Sequence, residues 1–338
     1  MRAIVLERPG HFSMVETELP EKPKIGEATV AVKYVGICGS DLRAFQGEHP
    51  FFSYPRIIGH EFAVEIVAVG ENEKGLAVGD RCTVEPYLNC GSCIACRRGK
   101  TNCCVDLKLL GVHLDGGMRE RINVPLSKLH KSATLPLDQL AVVEMLSVGA
   151  HAVRRAAPEP HELALVIGVG PIGLSVAEIA RQAGAEVIVM DINEARLDFC
   201  RNVLQYERCV DARTAPLPQL KRLSGDDLPT LVFDCTGSRG SMMNSFSYTA
   251  HGGKLLFVGL FPGDLSFNDP YFHGHEITLL SSRNATTADF LQVIGLMEAG
   301  KIGVSHWITH RVSSNALIDV FPQWAKVESG VLKAVVEW

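Results

Sequence analysis

At 338 residues, 46% of them hydrophobic and 21% charged, with a formal net charge of −5, the chain is long enough for about two domains. It carries no overall basic attraction that would mark a nucleic-acid partner. Its longest uncharged apolar run, residues 163–177, is shorter than a bilayer span and is broken by glycine and proline, which excludes a membrane segment there. Charge at Arg2 and Glu7 comes before any apolar core of signal-peptide length, so the expected location is the cytoplasm. Of ten cysteines, five fall between Cys90 and Cys104, a grouping that suits metal binding in a reducing compartment better than disulfides.

In chain order, residues 1–37 alternate apolar and polar positions between turn signals at Pro9-Gly10, Pro20 and Gly26, the pattern of short antiparallel strands; 28–35 is the clearest of them. Glycine and proline punctuate nearly every run up to Pro125, so a small β-rich domain with few helices is expected. Within it, Cys38-Gly39-Ser40-Asp41 is followed by Gly59-His60-Glu61, where two polar residues interrupt a strand-like run. A thiolate, an imidazole and a carboxylate are the side chains that bind Zn²⁺ well, and a mixed set leaves a position open for substrate. Taken singly, Cys38 reads equally well as a small buried hydrophobe and His60 as a satisfied loop histidine; it is the pairing that points to a metal.

Cys90, Cys93 and Cys96, followed by the neighbours Cys103 and Cys104, offer four thiolates from one short loop. Such a set closes a tetrahedron around Zn²⁺ and holds a lobe too small to have its own core. His113, in a turn-rich loop, is a candidate substrate contact as well as an ordinary surface histidine, and Glu144 is an acid inside an apolar helical stretch that needs a partner.

From Glu162 buried strands alternate with helices, which predicts a doubly wound parallel sheet and an α/β class for the whole. The strand 163–167 runs into Gly168-Val169-Gly170-Pro171-Ile172-Gly173, which opens a helix, and a second strand ends at Asp191. In that context the glycines give the tight turn (Gly168), the close approach to a pyrophosphate (Gly170) and the helix–strand contact (Gly173), while the helix N-terminus faces the anion. Asp191 would take the ribose hydroxyls and repel a 2′-phosphate, so NAD is expected over NADP, with Arg196 helping to hold the diol. Further strands are expected at 231–234, 254–258 and 277–280 in a six-stranded sheet, and Gly259-Leu260-Phe261 is expected to line the nicotinamide. Helices at 288–299 and 316–328 and a strand at 331–336 follow. Arg43, Arg56 and Arg283 are candidate guanidinium partners for a substrate carboxylate.

The Cys-Gly-Ser-Asp and Gly-His-Glu segments, the cysteine spacing and the glycine fingerprint together resemble the zinc-dependent medium-chain alcohol dehydrogenase family, although Val64 stands where that family has a glycine. The resemblance implies a GroES-like catalytic domain at 1–147, an NAD-binding Rossmann domain at 148–282 and a return to the catalytic domain at 283–338. It implies a catalytic zinc on Cys38 and His60 with Glu61 or Glu144, Asp41 orienting His60, and Ser40 passing on the substrate proton, with Arg43 standing where many relatives have the next acceptor histidine. It also implies a structural zinc on Cys90, Cys93, Cys96 and Cys104 rather than Cys103, Lys333 near the pyrophosphate, Arg283 facing the substrate, and a dimer or tetramer. Segments such as Phe51–Arg56 and Ser282–Thr286 resemble the branch acting on L-galactonate and L-gulonate. A hexonate secondary alcohol is therefore the expected substrate, with a neutral polyol or threonine as alternatives, and an NAD-sensing regulatory protein as the alternative of another class.

Overall fold

The computed structural model describes residues 1–326 and 329–338. They divide into two compact units, Met1–Glu144 with Thr286–Trp338, and Met145–Ala285.

The first unit is β-rich. Among the described residues its main sheet runs Leu129–Lys131, Arg81–Val84, Glu61–Val69, Glu27–Ile37, Lys333–Glu337, Ile308–Ser313, with Arg121–Pro125 also paired to Glu27–Ile37. The long strand Glu27–Ile37 buries most of its residues, and its side chains join Phe62, Ile66, Met118 and Phe321 in one core. Such clustering is the main stabilising term for a sheet with one solvated face. Antiparallel pairing sets Gly36 opposite Glu61, and the C-terminal strand sets Val335 opposite Gly36 on the other side. Three distant parts of the sequence thus meet around Gly36.

Helices in this part are few, but the one that matters was not foreseen: Gly39–Gln46 begins directly after Cys38. The helix Thr287–Glu298 is capped at Thr286, which receives and returns hydrogen bonds with Asp289. The helix expected over 316–328 is found as Leu317–Trp324; Val327 and Glu328 lie outside the described residues. The last strand is Lys333–Glu337, two residues later than its apolar pattern suggests.

The second unit is an all-parallel sheet in the order Cys209–Asp211, Glu186–Asp191, Leu163–Ile167, Leu231–Asp234, Lys254–Phe257, Thr278–Ser281. This is the doubly wound 3-2-1-4-5-6 arrangement, which leaves a ligand crevice where the order reverses, at the carboxyl ends of the first and fourth strands. Leu163–Ile167 and Leu231–Asp234 are buried almost throughout, as continuous apolar runs covered on both faces must be. The five strands located in the sequence are present; the sixth, Cys209–Asp211, was not located there and is only three residues long.

Candidate active site

Cys38 caps the helix Gly39–Gln46, and Asp41 is its third residue. The Cys38 N–H donates to Asp41 Oδ2 at 2.9 Å, answering one of the donors that a helix start leaves open. This cap fixes the thiol and a buried carboxylate on one short turn, with Ser40 between them. Asp41 Oδ1 lies 3.7 Å from His60 Nδ1. Burial raises the Asp41 pKa, against the opposing pull of His60 and the Cys38 N–H. Burial works against charging His60 too, but Asp41 and Cys38 outweigh it and hold its pKa well above the usual imidazole range.

His60 and Glu61 are delivered by a turn at Gly59, which has φ +92° and where a Cβ would come within 2.7 Å of Val35 Cγ1. Glu61 folds back over Gly36; a Cβ there would lie 2.5 Å from Glu61 Oε2, so only glycine leaves room for the carboxylate. One donor atom each from Cys38, His60 and Glu61 lies within 4.8 Å of the others. The donor set fits a zinc ion: a sulfur, a ring nitrogen and a carboxylate oxygen converge, with the histidine and the glutamate both buried.

Lys333, expected near a pyrophosphate, is placed otherwise. It is 2% exposed, and its ammonium donates to Glu61 Oε1 at 2.7 Å and to the Ile37 carbonyl at 3.0 Å. It also makes an ion contact with Oε2 that lacks hydrogen-bond alignment. The pairing of the last strand beside Glu27–Ile37 turns this lysine into the interior of the first unit, and its donors are spent there.

Glu144, in the first turn of the helix Val143–Ala156, is 4% exposed and accepts a hydrogen bond from Tyr87 Oη. Burial, with help from Glu61 and against His60, lifts its pKa to about 7. It stands outside the group formed by Cys38, His60 and Glu61.

The candidate substrate contacts differ in how far they are committed. Arg56 holds Asp115 Oδ1 at 3.2 Å and Ser53 Oγ at 3.1 Å. His113 Nδ1 accepts the Leu109 N–H at 3.1 Å. Arg43 is half-buried in the last turn of the helix that Cys38 caps, and Arg283 is exposed near the end of the second unit.

Cys90, Cys93, Cys96 and Cys104 form the second cluster, with one sulfur each within 4.8 Å of the rest, while Cys103 stays outside it and exposed. Backbone N–H groups of Ser92 and Cys93 pull the Cys90 pKa down to about 6. Four thiolates aimed at one point fit a closed zinc site.

In the second unit a cavity of about 430 Å³ is lined by Gly168, Gly170, Asp191, Arg196, Thr236 and Tyr248 among others. Gly168 has φ +84°, and a Cβ at Gly173 would stand 1.8 Å from the Gly168 carbonyl oxygen. Gly170 caps the helix Pro171–Gln182, with Pro171 first and Ile172 next. The Asp191 carboxylate accepts the Val169 N–H at 2.7 Å and the Asn193 N–H at 2.8 Å, with Arg196 Nη1 3.9 Å away. It therefore braces the glycine turn from beneath, a role the sequence reading did not include. The loop Gly259, Leu260, Phe261 is not in the lining of this cavity; a Cβ at Gly259 would lie 2.2 Å from the Gly237 nitrogen, so the loop packs closely on that turn, and Leu260 is 55% exposed.

Sequence reasoning missed Tyr87 and the polar network of Glu85, Lys128 and His130. The available signal was the acid of Val84-Glu85-Pro86 in an otherwise apolar stretch, which needs partners as Glu144 does.

A Rossmann sheet with its glycine turn, and a β-rich unit with a sulfur, nitrogen and oxygen cluster, define a metal-binding dehydrogenase scaffold. Residues 24–136 match the alcohol dehydrogenase GroES-like domain family, and residues 171–299 match the zinc-binding dehydrogenase family. The L-galactonate-5-dehydrogenase of Escherichia coli (strain K12) is 39% identical over 336 residues, 99% of this chain and 98% of its own. The L-arabinitol 4-dehydrogenase of Aureobasidium melanogenum is 31% identical over 338 residues, 96% of this chain and 91% of its own. A short chain alcohol dehydrogenase of E. coli CFT073, solved with cofactor NADH, superposes with TM-score 0.92 at 29% identity, covering 100% of this chain and 99% of that one. The chain belongs to the zinc-dependent medium-chain alcohol dehydrogenase family, and it is an oxidoreductase acting on CH–OH donors. Among the described residues no helix is long and apolar enough to cross a membrane.

Proposed function

We propose that the protein oxidises a secondary alcohol of a hexonate of the L-galactonate or L-gulonate type to the keto acid, reversibly, with zinc and NAD. The observation that carries this reading is the convergence of Cys38, His60 and Glu61 in a chain 39% identical to an L-galactonate-5-dehydrogenase. When bound, zinc supplies the Lewis acidity that eases loss of the hydroxyl proton. Cys38, His60 and Glu61 would hold it, with Glu144, which accepts the Tyr87 hydroxyl, in reserve. Asp41 fixes the His60 ring, Ser40 hands the proton outward, and Arg283 pairs with the substrate carboxylate. Gly168, Gly170 and Gly173 shape the turn that takes the dinucleotide, and Asp191 favours NAD over NADP through the ribose hydroxyls. The catalytic part is residues 1–147 with 283–338, the NAD part 148–282. The setting is a cytoplasmic dimer or tetramer.

Initial rates of NADH formation across a panel of aldonates and neutral polyols test the reading. A hexonate should give the highest kcat/KM, and activity on polyols alone would remove the sugar-acid assignment. The neutral polyol is the second reading, favoured by the 31% identity to an L-arabinitol 4-dehydrogenase. An NAD-sensing protein without activity is disfavoured because the donor set is intact.

A further inference from the structure

Glu85, Tyr87 and Asn89 are alternate residues of an extended segment that ends at Cys90, so their side chains point to one side. Each finds a polar partner there. Glu85 is 1% exposed; its Oε1 takes the Lys128 ammonium, and its Oε2 takes His130 Nε2 at 3.0 Å and Thr287 Oγ1 at 2.8 Å. Tyr87 donates to Glu144. Asn89 turns Oδ1 to Lys128 Nζ at 3.2 Å and Nδ2 to Cys96 Sγ at 3.7 Å.

The orientation of the Asn89 amide follows from chemistry. An ammonium only donates, so the amide oxygen must face Lys128, and the NH₂ group is left facing the Cys96 sulfur. Glu85 in turn holds the lysine in place, since a lysine 7% exposed needs an anion beside it. Burial alone would raise the Glu85 pKa, but His130, Lys128 and Thr287 outweigh it and hold the carboxylate below its usual range. Four thiolates around a divalent cation leave two negative charges in excess, and N–H donors aimed at the sulfurs are what make that excess tolerable.

We infer that Lys128 is a positioning residue of the four-cysteine site: by fixing the Asn89 amide it directs an N–H donor onto the Cys96 thiolate and slows loss of the metal held there. The inference rests on the reading of Cys90, Cys93, Cys96 and Cys104 as zinc ligands, and the test separates the two.

Zinc release from the purified holoenzyme is followed with a chromogenic chelator, alongside total zinc content. C90S sets the baseline and should remove one equivalent; if it removes none, the four-cysteine reading fails and this inference with it. With that baseline met, K128M and N89A should each release that one equivalent about tenfold faster, leave the other equivalent at the wild-type rate, and add nothing when combined. N89D, which keeps the acceptor for Lys128 but sets a negative charge against the sulfur, should release at least as fast as N89A. Should K128M not fold, half-buried Asn89 carries the test through N89A alone. Release within twofold of wild type in folded K128M or in folded N89A overturns the inference, as does equal acceleration of both equivalents, which would signify general loosening.

Discussion

Lys333 Nζ lies 2.7 Å from Glu61 Oε1, with the lysine 2% and the glutamate 0% exposed. Two buried charges thus neutralise one another beside the side chains of Cys38 and His60. Removing one partner leaves the other unpaired where water cannot reach it. K333M should therefore destabilise the metal-free protein by about 3–5 kcal/mol, and the double variant K333M/E61L should recover much of that loss. Urea unfolding measures both. A K333M cost below about 1 kcal/mol would mean the pair is no stronger than an exposed one.

Glu144 gives a pH dependence whose sign can be worked out. Its pKa rises from 4.5 unfolded to about 7 folded. Below pH 4.5 both states are protonated and the group is neutral to stability. Between pH 4.5 and 7 the unfolded chain releases the proton first, so stability falls as pH rises, by about 3 kcal/mol across the window. Metal-free protein should show this slope in denaturant midpoints, and E144Q should flatten it. A wild-type profile with no fall over that range would contradict the burial argument.

The glycine turn predicts unequal effects from equal substitutions. In G173A the new Cβ meets the Gly168 carbonyl oxygen at 1.8 Å, so backbone must move; in G170A it meets Arg196 Nη1 at 3.4 Å, the end of a flexible side chain. G173A should lower thermal stability and weaken NADH binding by at least about tenfold, about 1.4 kcal/mol. G170A should leave the free protein as stable as wild type. Comparable melting temperatures for the two variants would sink the distinction.

Neighbouring cysteines should separate cleanly. Cys104 is 4% exposed and accepts the Cys90 N–H at 3.2 Å, while Cys103 is exposed and outside the cluster. Elemental analysis of C104S should find one zinc equivalent fewer than wild type, and C103S should retain the full complement. Loss in C103S instead would reassign the fourth ligand.

What could be read from the sequence was what local pattern determines. The strand Leu163–Ile167 coincides with its apolar run, and Gly168 to Gly173 follow in a fixed geometry that three glycines nearly dictate. The four cysteines share one loop, so their grouping was legible, while the choice of Cys104 over Cys103 came from the family resemblance. Cys209–Asp211 is too short to show a period, and its place at the sheet edge comes from pairing with Glu186–Asp191. The destination of Lys333 was hidden for a related reason. Its partner lies 272 residues away in sequence, and only the register of the last strand against Glu27–Ile37 brings them together. Lys128 and Glu85 were hidden likewise, joined through pairing of Leu129–Lys131 with Arg81–Val84.

Ribosomes deliver a chain from its first residue to its last, and here the counter-charge for Glu61 emerges only after the whole nucleotide-binding unit has left the tunnel. Until then the nascent N-terminal sheet carries an unneutralised acid next to Cys38 and His60 and lacks its inner strand. The acid beside Cys38 and His60 thus gains its counter-charge from the same late segment that completes the middle of the sheet.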